Sequence, residues 1–125
     1  MADVFVGKRV LLVENEALIA LVLRDMLEEL GFASVEHVVT LASAMASVQD
    51  RPPDIAVLDL HVTDGLTLPL AEVLARRGIR SIFVTGDFHA QSTYALDQHL
   101  ILIKPFSPAD FQTVLRRAFD SPLIA

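Results

Sequence analysis

Short β-branched apolar runs alternate along this chain with longer stretches whose apolar residues recur every three or four positions. The first pattern fits a buried strand and the second an amphipathic helix. Residues 10–13, Val-Leu-Leu-Val, predict a strand buried on both faces. Residues 15–30 predict a helix with Arg24, Asp25, Glu28 and Glu29 on its polar face, and Gly31 is placed to end it. A second strand follows over 34–39. Thr40 is placed to cap a helix burying Leu41, Met45 and Val48, which Pro52-Pro53 stop.

The most apolar strand candidate lies within 54–60. A third helix begins near Thr67 or Pro69, buries Leu70, Val73 and Leu74, and ends at Gly78. Residues 80–85 predict a fourth strand, 88–99 hold only a thin helical stripe, and 100–103 predict a fifth strand. Ser107, Pro108 and Asp110 form a strong helix start: cap, first-turn proline, and an acid at the positive end. Phe111, Val114, Leu115 and Ala118 then repeat at helical spacing.

Five strands alternating with five helices imply a parallel α/β sheet covered on both faces. The 125 residues fit one domain, with its core over about 9–119 and no output domain expected after the last helix. At 53 % hydrophobic and 21 % charged, the composition belongs to a compact globule rather than a disordered chain. The net charge of −6 argues against a nucleic-acid partner, which needs a basic face. The absence of Cys excludes disulfides, thiolate metal sites and thiol nucleophiles. The four His residues, His37, His61, His89 and His99, show no paired ligand spacing. The longest unbroken apolar run, 17–23, falls far short of the ~20 residues of a membrane span. No membrane partner is expected, and a cytoplasmic location is.

In a parallel sheet, ligands gather outside the carboxyl ends of the strands. There the chain places Glu14-Asn15, Asp59, Thr85-Gly86 and Lys104-Pro105. Singly, each has an ordinary explanation: an Asp after a strand is usually a turn or cap, and a Lys is usually solvated. Jointly they suit phosphoryl transfer to a carboxylate. Asp59 can serve as nucleophile and as a ligand for Mg²⁺, a cation that prefers oxygen donors. Lys104 offers a compact positive charge, Thr85 a hydroxyl donor, and Gly86 room for the incoming group.

From residue 9 to about 119 the sequence resembles the bacterial response-regulator receiver domain, of the stand-alone kind. The resemblance rests on Glu14-Asn15, the Val-Leu-Asp-Leu ending in Asp59-Leu60, Asp64-Gly65, Thr85-Gly86 and Lys104-Pro105-Phe106, in order. It implies a flavodoxin-like doubly wound (βα)5 fold with strand order 2-1-3-4-5. It also implies that Asp59 accepts a phosphoryl group from a sensor histidine kinase or a histidine phosphotransfer protein. Glu14, Asn15, Asp59 and the backbone carbonyl of His61 would then hold Mg²⁺, with Thr85 and Lys104 as phosphoryl partners and a cis Lys104–Pro105 bond. Gly86, Asp87, Ile101 and Pro105 fall at switch or modulating positions. The signal would pass to a further protein, and the chain would catalyse only its own phosphorylation and dephosphorylation, not act as an enzyme on others.

Several residues depart from the family pattern. Asn15 replaces an acid, so Mg²⁺ is expected to bind weakly. Glu16 either compensates through water or points into solvent. Thr63 replaces a proline, which predicts a less rigid loop. Ile101 stands where an aromatic switch residue is common, and Tyr94 is not a positional match. His61 and Asp87 are either modulators or idle loop residues. These departures keep open an alternative, a receiver-like module that binds proteins without phosphorylation. A small phosphatase would want a second Asp two residues after Asp59, where His61 stands; a flavin or nucleotide carrier would want a glycine-rich first loop, which the chain lacks.

Overall fold

A computed structural model describes residues 3–120. Its elements run in the order β1 (Arg9–Val13), α1 (Ala17–Glu29), β2 (Ser34–Val38), α2 (Leu41–Asp50), β3 (Ile55–Asp59), β4 (His61–Val62), β5 (Gly65–Leu66), α3 (Leu68–Arg76), β6 (Arg80–Thr85), α4 (Ala90–Thr93), β7 (Leu100–Ile103) and α5 (Pro108–Asp120). Five strands form one parallel sheet in the order β2-β1-β3-β6-β7. Counting only those strands, the order is the expected 2-1-3-4-5. The residues past the expected core lie, from 121 on, outside the described residues.

Strand parity builds two cores. Val10 and Leu12, Ile55 and Val57, and Ile82 and Val84 face α1 and α5, meeting Leu23, Leu27, Phe111 and Leu115. Leu11 and Val13, Ala56 and Leu58, and Phe83 face the other way, meeting Val48, Leu70 and Leu74 of α2 and α3. Both faces of β1 and β3 are therefore buried, which explains runs without polar alternation. Truncating Leu12 or Leu58 to Ala would cost roughly 2–5 kcal/mol.

Local rules set the element ends. Thr40 caps α2, its hydroxyl oxygen accepting from the Ser43 amide at 3.1 Å. Ser107 does the same for the Asp110 amide at the head of α5, at 3.0 Å. The first helix begins at Ala17 rather than residue 15: Glu16 is its N-cap with extended backbone (φ −98°, ψ 115°), and its amide donates to the Glu14 carboxylate at 3.1 Å. The fourth helix is four residues long, ending at Thr93, and Ala95 just beyond its cap Tyr94 is held at φ +54°.

The loop after β3 is better fixed than Thr63 predicts. It folds into the β4–β5 hairpin, and Asp64 at its tip accepts from the amides of Leu41 and Ala42 at 2.7 and 3.1 Å. Two carboxylate bonds to the positive end of α2 hold the loop in place of the missing proline ring. Those same bonds draw the Asp64 carboxyl below its ordinary pKa. Among the described residues, no helix is long and apolar enough to cross a membrane.

Candidate functional site

Asp59 ends β3 at the carboxyl edge of the sheet and is only 6 % exposed. Its Oδ1 accepts from the His61 amide at 3.3 Å, and its Oδ2 lies 3.5 Å from Lys104 Nζ. Glu14, one residue past β1, is fully buried, and its Oε1 accepts from Lys104 Nζ at 3.1 Å. Two carboxylates from adjacent strands thus share one ammonium group, leaving one negative charge uncompensated.

Burial and that imbalance together raise the Asp59 pKa from 3.8 to about 7. Burial is the largest cause, followed by a hydrogen bond with Glu14 and the repulsion of its charge. Lys104 and the His61 amide pull the other way without overcoming these.

Thr85 ends β6 and is buried, its Oγ1 accepting from the Asp87 amide at 3.1 Å. The hydroxyl hydrogen stays available for another acceptor. The Lys104 amide donates to the Thr85 carbonyl at 2.8 Å, tying the two strand ends together. A Cβ added at Gly86 would meet nothing within 4 Å, so the mouth of the site is open there. Asp87 turns into its own loop, where Oδ1 accepts from the His89 amide at 2.9 Å. Ile101 lies in β7 opposite Phe83, half-buried in the α2–α3 core.

Asn15 and Glu16 are exposed at the entrance, and the Lys104–Pro105 bond is cis. The His61 ring is also exposed and meets Tyr94 edge-on, with centroids 5.6 Å apart. Glu14, Asn15, Asp59 and the His61 carbonyl would offer oxygen donors, and the excess negative charge of the two acids fits a hard divalent cation. Among the described residues, no three His, Asp or Glu side chains cluster so as to hold a metal ion by themselves.

Sequence reasoning missed two supports. The buried Thr67 hydroxyl donates to the Asp59 carbonyl at 2.9 Å instead of capping α3. His37, on β2, places Nε2 2.7 Å from the Glu14 carbonyl. Both act on backbone carbonyls, so no motif or spacing announces them.

The sequence profile of the family described as the response regulator receiver domain matches residues 10–116. The chain belongs to this family. The receiver is 31 % identical over 113 residues to the transcriptional regulatory protein PdtaR of Mycobacterium tuberculosis, covering 87 % of this chain and 55 % of that protein. It is 30 % identical over 88 residues to the sensory transduction protein LytT of Enterococcus faecalis, covering 68 % of this chain and 36 % of that one. It thus spans about half or less of these curated relatives. Among solved structures, SdrG from Sphingomonas melonis Fr1 is 35 % identical with a TM-score of 0.78, covering 90 % of this chain and 97 % of that one. Receivers of this family serve two-component systems, are phosphorylated by histidine kinases or phosphotransfer proteins, generally bind Mg²⁺, and are generally not enzymes in their own right.

Proposed function

We propose that this receiver accepts a phosphoryl group on Asp59 from a phosphohistidine, in the presence of Mg²⁺, and thereby switches its binding to another protein. One observation carries the reading: a buried carboxylate at the sheet edge sits within 3.5 Å of Lys104, beside a second buried acid. An Asp59 oxygen attacks phosphorus as the P–N bond breaks, and the imidazole leaves with the bonding pair. Lys104 and the Thr85 hydroxyl meet the phosphoryl oxygens. Mg²⁺, held by Glu14, Asn15, Asp59 and the His61 carbonyl, would neutralise charge on the transferring group. With its pKa at about 7, Asp59 is partly protonated near neutrality, and a bound cation favours the ionised form that can attack.

The phosphodonor also has a place to rest. Leu18, Ile19, Val22, Met26, Pro105 and Phe106 line an open groove of about 500 Å³ that reaches Lys104. Leu18 is 78 % exposed and Val22 52 %, positions a soluble helix would ordinarily make polar. An apolar helix bearing the phosphohistidine fits beside the site. Phosphoryl charge then acts on Thr85 and the short α4 that follows, biasing that segment between two packings. A cytoplasmic location suits this exchange.

Phosphoramidate, which carries a P–N bond, tests the reading. A ³¹P acyl-phosphate resonance should appear with Mg²⁺ and be absent in Asp59→Asn; no such resonance from the native chain would refute it. One feature favours a second reading, a protein-binding module that works without phosphorylation: Asn15 gives the site one carboxylate fewer than the family pattern. Mg²⁺-dependent phosphorylation would exclude that reading.

A further inference from the structure

Every polar atom of Glu14 is engaged. Its amide donates to the Val38 carbonyl at 3.1 Å, and its carboxylate accepts from Lys104 Nζ and the Glu16 amide, each at 3.1 Å. The fourth contact comes from a side chain on the neighbouring strand. The Glu14 carbonyl lies 2.7 Å from His37 Nε2. A carbonyl only accepts, so His37 is the donor and carries a proton on Nε2.

The place of this bond in the sheet explains it. The last rung between β1 and β2 pairs Val13 with Val38, and Thr40 then turns the chain into α2 as its N-cap. The ladder gives out at the residue where the site begins, and the imidazole supplies the next donor. His37 lies opposite Leu12 in register and is half-buried.

We propose that His37 is a positioning residue for the cation held by Glu14 and Asn15, an inference that rests on the Mg²⁺-dependent reading above. Its ring fixes the carbonyl from which Asn15 departs, and so sets where the Asn15 amide oxygen sits relative to the Glu14 and Asp59 carboxylates. A carboxylate at position 15 would be drawn to a cation by charge. An amide is drawn far less, so its backbone must hold it, and a support outside the ligand set counts for more.

Two variants separate this role from simple packing. His37→Phe keeps the bulk and removes the donor; His37→Gln keeps an N–H donor. Mg²⁺ titration of the full chain, followed by amide shifts, gives the affinity, and hydrogen exchange without Mg²⁺ reports on the Glu16 amide. His37→Phe should weaken Mg²⁺ binding roughly tenfold and speed exchange at Glu16, whereas His37→Gln stays within about twofold of native. His37→Phe should also lower the thermal midpoint, by no more than the loss of one hydrogen bond explains. If His37→Phe binds Mg²⁺ as the native chain does, or His37→Gln falls as far as His37→Phe, the positioning role is overturned while the cation site stands. A native chain that binds no Mg²⁺ overturns the cation site itself, and the role of His37 with it.

Discussion

Lys104 sits nearer to Glu14 than to Asp59: its Nζ lies 3.1 Å from Glu14 Oε1 and 3.5 Å from Asp59 Oδ2. The cation that would meet a phosphoryl group on Asp59 is held mainly by the neighbouring acid. Burying one ammonium between two carboxylates leaves a site that is short of positive charge. That shortage links the protonation of Asp59, the fit to a divalent cation and the attraction of Lys104 toward a phosphoryl group.

Glu14→Gln should lower the Asp59 pKa from about 7 toward its ordinary 3.8, without reaching it. The substitution removes the charge repulsion, but burial, the largest cause, remains. A pH titration of the Asp59 carboxyl carbon by NMR measures this. A midpoint that stays near 7 would show that Glu14 does not set it.

Without Mg²⁺, Asp59 should make the fold less stable as pH rises from about 4 to about 7. Below 3.8 the folded and unfolded chains both hold the proton. Between 3.8 and about 7 the folded chain holds it longer, so stability falls with pH. Above that range both states are ionised and the loss is complete. Thermal midpoints in chelator should therefore fall with pH more steeply for the native chain than for Asp59→Asn; parallel curves would contradict the raised pKa.

Thr67→Val removes the hydroxyl that donates to the Asp59 carbonyl at 2.9 Å while keeping the side chain's shape. Losing one buried donor should cost about 1–2 kcal/mol in urea unfolding. A loss near zero would mean that the bond contributes nothing to holding the end of β3.

Val22→Lys places a charge on the groove beside Lys104. Transfer from a phosphohistidine protein should slow by about tenfold or more, the scale of one contact residue at an interface. The rate from acetyl phosphate should change far less. Equal slowing of both would place the donor elsewhere.

The sequence announces the candidate site's polar groups because they fall at strand ends, where unbroken apolar runs stop at Asp59, Thr85 and Lys104. Its supports are silent. Phe5 is fully buried between Phe32 and Phe119, yet one aromatic ahead of the first strand carries no periodicity. His37 and Thr67 act on backbone carbonyls, which every residue has, so no spacing marks them. Thr63 suggested a looser loop, and the bonds of Asp64 to α2 came from a pairing across 22 and 23 positions that no local pattern contains. Asn15 remains the departure whose consequence only chemistry reveals.

Intact mass after incubation with acetyl phosphate, with Mg²⁺ or chelator, tests the central claim most directly. The native chain should gain one phosphoryl group with Mg²⁺ and none with chelator, and Asp59→Asn should gain none. An adduct that persists in Asp59→Asn, or a native chain that stays unmodified with Mg²⁺ and either acetyl phosphate or phosphoramidate, would contradict it.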